Sequence, residues 1–144
     1  METHITDITR VIQLAVAPVF LLTAIGTLIG ALNIRLGRVV DRRRVLNERL
    51  RSVDADTAKD AREELSLLAR RSKLIYYAIF TAVTAALLVC LVVAVAFVGA
   101  LLTIELARVV AVLFILSMCA LIICLAVFLR EIFVAVTESG RHYK

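Results

Sequence analysis

The sequence predicts an all-α membrane protein with three transmembrane helices and a cytoplasmic antiparallel helical hairpin continuous with the first two. Three observations carry that prediction. Three apolar runs are each long enough to cross a bilayer, most of the positive charge lies between the first and second, and two helical stripes flank a short polar break in that charged segment. A soluble domain is nearer half apolar, whereas 62% of these 144 residues are hydrophobic and the mean hydropathy is +0.96.

The division that follows is an N-terminal segment with the first span over residues 1–34 and a basic hairpin over 35–73. The second and third spans occupy 74–129, and a cytoplasmic tail occupies 130–144. A bilayer core needs roughly 20 helical residues, and the apolar runs Val11–Ile34, Leu74–Ile104 and Val109–Leu129 meet that length. Between the second and third, Thr103–Arg108 reads as a tight turn at the opposite interface.

Pro18 leaves two readings of the first run open. In one, residues 5–17 form an interfacial amphipathic helix ending at Pro18, with Ile5, Ile8, Ile12 and Ala15 at helical spacing. In the other, a single kinked span begins at Val11. Glu2 and Asp7 precede the first arginine, so the N-terminus does not read as a cleaved signal peptide.

Charge sets the orientation. Residues 33–73 hold twelve of the seventeen Lys and Arg against seven acids, a local excess equal to the +5 of the whole chain. Basic loops stay on the cytoplasmic side. The expected topology is therefore multi-pass in a plasma membrane, with the N-terminus outside and the C-terminus, with Arg130, Arg141 and Lys144, inside. Tyr76 and Tyr77 above Arg70, Arg71 and Lys73 read as an aromatic belt over a basic collar.

Within the basic segment, Leu32, Leu36, Val39, Arg43, Leu46, Leu50 and Val53 follow steps of four and three, a heptad seam interrupted by one arginine. Across the break at Asp54–Thr57, Ala58, Ala61, Leu65, Leu68, Ser72 and Ile75 repeat in the same way. Thr57 with Asp60 resembles a capping box opening the second arm. A helix from about Pro18 to Val53 would be on the order of 50 Å long, rigid enough to carry a displacement from one end to the other.

Titratable groups suited to catalysis are scarce. His4 and His142 lie at opposite ends, and no nucleophile-elbow, zinc-hydrolase, P-loop or dinucleotide motif occurs. An enzyme is not expected, and neither is a metal or other cofactor. Cys90, Cys119 and Cys124 all lie in apolar runs without a metal-binding spacing and read as small hydrophobes. The three runs hold no acid, lysine or histidine well inside them, which disfavours a coupled transporter.

The first span does carry a pattern. Thr23, Gly26, Thr27, Gly30 and Asn33, with Gly37 beyond them, share one helical face, and Gly26–Gly30 is a GxxxG. Small residues let helices approach closely in lipid, and Thr or Asn can hydrogen-bond across the contact. Three uses fit: packing on the chain's own second or third span, contact with another subunit, or a pore lining.

Arg35 and Arg38 are placed to meet anionic lipid headgroups on the cytoplasmic side. Consecutive Arg42, Arg43 and Arg44 point about 100° apart and read as a solvated collar balanced by Asp41, Glu48, Glu63 and Glu64. Interspersed acids and the lack of aromatics argue against nucleic acid. The hairpin seam is assigned to Leu36, Val39, Leu46, Leu50, Leu65 and Leu68, and a homo-oligomer is expected because three such helices bury little alone. The leading functional expectation is a non-enzymatic, self-associating membrane protein whose cytoplasmic arms act as scaffold or sensor. The alternative is a homo-oligomeric ion channel lined by the polar face of the first span.

With PVFLLTAIG at Pro18–Gly26 and NIRLGRVVDRRR at Asn33–Arg44, the chain resembles the bacterial membrane family catalogued as domain of unknown function 2721. The resemblance implies an integral bacterial membrane protein of a few helices. It transfers no catalytic or binding residues.

Overall fold

The computed structural model describes residues 2–51, 55–102 and 104–139, and these are almost entirely helical. Three helices follow in order: α1 (Glu2–Arg49), α2 (Ala55–Leu102) and α3 (Ala107–Ser139). Each is long and apolar enough to cross a membrane, the apolar windows lying within Val16–Arg49, Ala58–Leu102 and Ala107–Thr137. Phe20, Phe80, Ile115, Ile122 and Leu101 stand exposed along them. Water would penalise such a surface heavily, whereas lipid tails solvate it.

The first two helices run unbroken out of their apolar stretches into the basic segment, as the lack of turn signals there suggests. Val53 and Asp54 lie outside the described residues, as does the Thr57 side chain. The break is shorter than the sequence reading had it: α2 already starts at Ala55, so Thr57 is inside the helix and is not its cap. Helix starts shift readily by such a margin, because the first turn has no intrahelical donors to fix it.

Two other boundaries are corrected. Pro18 does not end a separate interfacial helix, because α1 passes through it. Pro18 is buried among the helices, which hold the chain helical there despite the missing donor. The third helix does not stop near Leu129 but continues to Ser139. After Arg130 and Glu131, the apolar pattern resumes with Ile132, Phe133, Val134 and Val136.

The chain divides into two compact units. One comprises Met1–Ile29 with Thr81–Ile123, the other Gly30–Phe80 with Cys124–Lys144. In the first, Ile25 of α1 is buried, as are Ala82, Ala85, Val89 and Val92 of α2 and Ser117 of α3. In the second, the buried set is Leu32, Val39 and Leu46 of α1, Leu68, Ser72, Ile75 and Ala78 of α2, and Cys124 and Glu131 of α3.

The spacing is sevenfold on every helix: 25, 32, 39, 46 on α1; 68, 75, 82, 89 on α2; 117, 124, 131 on α3. A seven-residue repeat keeps one seam facing its neighbours only in the shallow-angle packing of coiled-coil type. The inner face of α2 includes Ser72, Ala78, Ala82 and Ala85, and small residues there allow close approach of backbones.

Hydrogen bonds mark that approach. Within the first unit, the Ser117 hydroxyl donates to the Ala85 carbonyl at 3.0 Å, and within the second, the Cys124 thiol donates to the Ala78 carbonyl at 3.1 Å. Cys124 thus fills a small buried site, while Cys90 and Cys119 are exposed. At the α2–α3 turn, a Cβ on Gly99 would stand 3.3 Å from the Ile104 carbonyl oxygen. The Ile104 amide bonds back to the Gly99 carbonyl at 3.2 Å, so the turn closes over a residue without a side chain.

Candidate functional site: a buried ion cluster and an outward face of α1

Glu131 of α3 is completely buried. An isolated carboxylate there would be prohibitively costly, so it must be paired. Arg35 of α1 donates from Nη1 to Oε2 at 3.0 Å, and Arg71 of α2 donates from Nη2 to Oε1 at 2.9 Å. The Arg35 guanidinium also lies over the ring of Phe128, 5.1 Å from its centroid and one turn before Glu131 on α3.

One carboxylate therefore ties all three helices within the second unit. With both oxygens engaged by guanidiniums and the side chain fully buried, the carboxyl group presents no face to a substrate. The cluster works as a lock. It carries a formal excess of one positive charge, and the buried Arg71 Nε has no hydrogen-bond partner.

Sequence reasoning missed this cluster because it stopped the third span two residues before Glu131. A usable signal was present. Ser117, Cys124 and Glu131 are the buried polar or thiol residues of α3, seven apart, so the acid continues the inward register. Of the two arginines assigned to headgroups, Arg35 is turned inward onto Glu131 with its side chain 42% exposed, while Arg38 is exposed.

Of the six residues assigned to a seam, Val39, Leu46 and Leu68 are buried, and Leu36, Leu50 and Leu65 are half-buried. Beside that seam, Arg42 pairs with Glu64 at 2.8 Å, linking α1 to α2.

The small and polar face of α1 is placed quite differently. Thr23, Gly26, Thr27, Gly30, Asn33 and Gly37 are all exposed. A Cβ added at Gly26, Gly30 or Gly37 would meet nothing within 4 Å. Packing of this face on the chain's own second or third helix is thereby overturned. The reason is register: α1 packs through Ile25, Leu32, Val39 and Leu46, and the close approach is supplied by small residues of α2.

This outward face has its own heptad order. Gly26, Gly30, Asn33, Gly37, Val40, Arg44, Asn47 and Arg51 follow alternating steps of four and three and are exposed throughout. The Thr23 and Thr27 hydroxyls donate to the carbonyls of Val19 and Thr23 one turn back, at 3.2 and 3.0 Å. Their donors are satisfied without a partner from outside.

The family described as Protein of unknown function (DUF2721) matches residues 15–140. The chain belongs to this family. The DUF2721 match covers the outward face of α1 and all three members of the ion cluster, so both features lie within the family's own segment. No curated protein and no solved structure matches the chain.

Proposed function

We propose that the chain is a non-enzymatic, self-associating multi-pass membrane protein whose copies meet along the outward face of α1. The observation that carries this reading is the exposed heptad run from Gly26 to Arg51, whose glycines face nothing in the chain itself. A stripe of small residues is of little use against lipid, because it forfeits side-chain contacts, whereas a second helix can approach it closely.

On this reading, residues 35–73 form a cytoplasmic antiparallel helical hairpin, supported by the half-buried leucine seam and the Arg42–Glu64 pair. Basic bias sets the N-terminus outside and the C-terminus inside a bacterial inner membrane, with anionic headgroups beside Arg38. The arms continue the membrane helices without interruption, which suits a scaffold or sensor that passes a change in subunit contact to the cytoplasm.

Gly30→Leu tests self-association, since a Cβ added there meets none of the chain's own atoms within 4 Å. We expect the full-length protein in native membranes to give crosslinked oligomers, and Gly30→Leu to lower their yield while leaving the thermal unfolding of the chain unchanged. Only monomer in the wild type would overturn the reading.

A pore lined by Thr23, Thr27, Gly30 and Asn33 is the second reading, favoured by the polar groups on that face. Planar bilayers distinguish it. Reproducible conductance altered by Thr27→Leu or Asn33→Leu supports a pore, and silence across voltages and lipids counts against one.

A further inference from the structure

The basic segment has more arginines than its acids can occupy, and their partners divide them into two groups. Arg35 and Arg71 are held by Glu131, and Arg42 by Glu64. By contrast, Arg44 and Arg51 form no ion pair among the described residues, and the Nε of Arg43 is buried without a hydrogen-bond partner.

These three unspent guanidiniums line one groove. It has a volume of about 370 Å³ and is bounded by Val40, Arg43, Arg44, Asn47 and Glu48 of α1 and by Arg51 in the turn just after it. Positions 40, 44, 47 and 51 share a helical face, and Arg43 reaches the groove from the adjoining seam, where Val39 and Leu46 are buried on either side of it. Half-burial restricts Arg43 to a narrow set of positions, which lowers the entropy lost when it takes a ligand.

The chemistry of the lining selects the ligand class. Three guanidiniums against the one carboxylate of Glu48 leave a formal charge of +2, which repels cations and calls for an anion. Planar guanidinium forks match the oxygens of phosphate in pairs, and the Asn47 amide adds a neutral donor. The volume lies near the lower end of the roughly 300 to 1,000 Å³ typical of small-molecule sites, which is enough for a small phosphate group.

We propose that this groove binds a phosphate-bearing anion, either a small soluble phosphate compound or the phosphate of a lipid headgroup. The site is distinct from the Glu131 cluster, but it shares Val40, Arg44, Asn47 and Arg51 with the outward face, so a bound anion and a second copy would compete for that end of the face.

The test uses full-length protein in nanodiscs of phosphatidylcholine titrated with inorganic pyrophosphate by calorimetry. We expect binding to the wild type and a loss of at least about tenfold in affinity in Arg44→Gln/Arg51→Gln, which removes two charge-assisted partners. Arg62→Gln/Arg70→Gln removes the same charge from exposed positions of α2 and should leave the affinity unchanged.

A second arm resolves the source by native mass spectrometry of phosphatidylglycerol retained by the same variants. Pyrophosphate binding that needs Arg44 and Arg51 assigns a soluble ligand. Pyrophosphate silence with phosphatidylglycerol retention that needs the same pair assigns a headgroup. If neither probe binds, or if the two double variants lose binding equally, the site is overturned. All the substituted positions are exposed, and unchanged thermal unfolding confirms that the variants remain folded.

Discussion

Glu131→Gln should destabilise the chain by about 3 kcal/mol, the low end of the roughly 3 to 5 kcal/mol lost when one member of a buried ion pair is removed. The carboxylate is completely buried and, among the described residues, is the one acid shared by Arg35 and Arg71. Glutamine keeps the shape but leaves two guanidiniums facing a neutral amide. The low end is expected because Arg35 has a side chain 42% exposed and can turn toward polar surroundings, whereas Arg71, at 22%, has less freedom. Arg71→Gln should accordingly cost more than Arg35→Gln.

The triple substitution Glu131→Leu, Arg35→Met, Arg71→Met should recover most of the loss, because an apolar replacement of a buried ion cluster removes the desolvation cost along with the attraction. Unfolding by denaturing detergent, followed by circular dichroism, measures the series. Equal stability of wild type and Glu131→Gln would show that the cluster locks nothing.

Ala85→Leu is expected to have an effect of similar size by a different route. Ala85 is fully buried on the inner face of α2, and its carbonyl accepts the Ser117 hydroxyl at 3.0 Å. A leucine there must push the neighbouring helix away from α2. Overpacking costs about 1 to 3 kcal/mol, and the broken hydrogen bond adds roughly 1 kcal/mol. The same measurement reads it, and Gly30→Leu serves as the contrast, a substitution at an exposed position where an added Cβ meets nothing within 4 Å. If both substitutions cost the same, the assignment of inner and outer faces is wrong.

The three helices and their continuity were legible because they depend on bulk apolar content and on the absence of breakers, which are properties of composition. The leucine seam was legible too. Its four-and-three spacing already fixes which side of a helix is inward, and Val39, Leu46 and Leu68 are buried accordingly.

The direction of the glycine face was less accessible. A face of Gly, Thr and Asn is compatible with any close neighbour, and only the placement of Ile25 and Leu32 on the inner side showed that the chain's own helices lie elsewhere. Glu131 was hidden for another reason. A charged pair at the end of an apolar run reads as the membrane boundary, and the partners that make burial tolerable, Arg35 and Arg71, are 96 and 60 residues away in sequence.

The central claim, that copies meet along the outward face of α1, is tested most directly by disulfide trapping. In full-length protein with the exposed Cys90 and Cys119 replaced by alanine, single cysteines are introduced at Gly30, Asn33 and Ala31. The first two lie on the outward face, while Ala31 is exposed on another side of the same helix. Mild oxidation in native membranes should give disulfide-linked dimers from Gly30→Cys and Asn33→Cys and little from Ala31→Cys. Dimers from Ala31→Cys alone, or none from any position, would contradict the account.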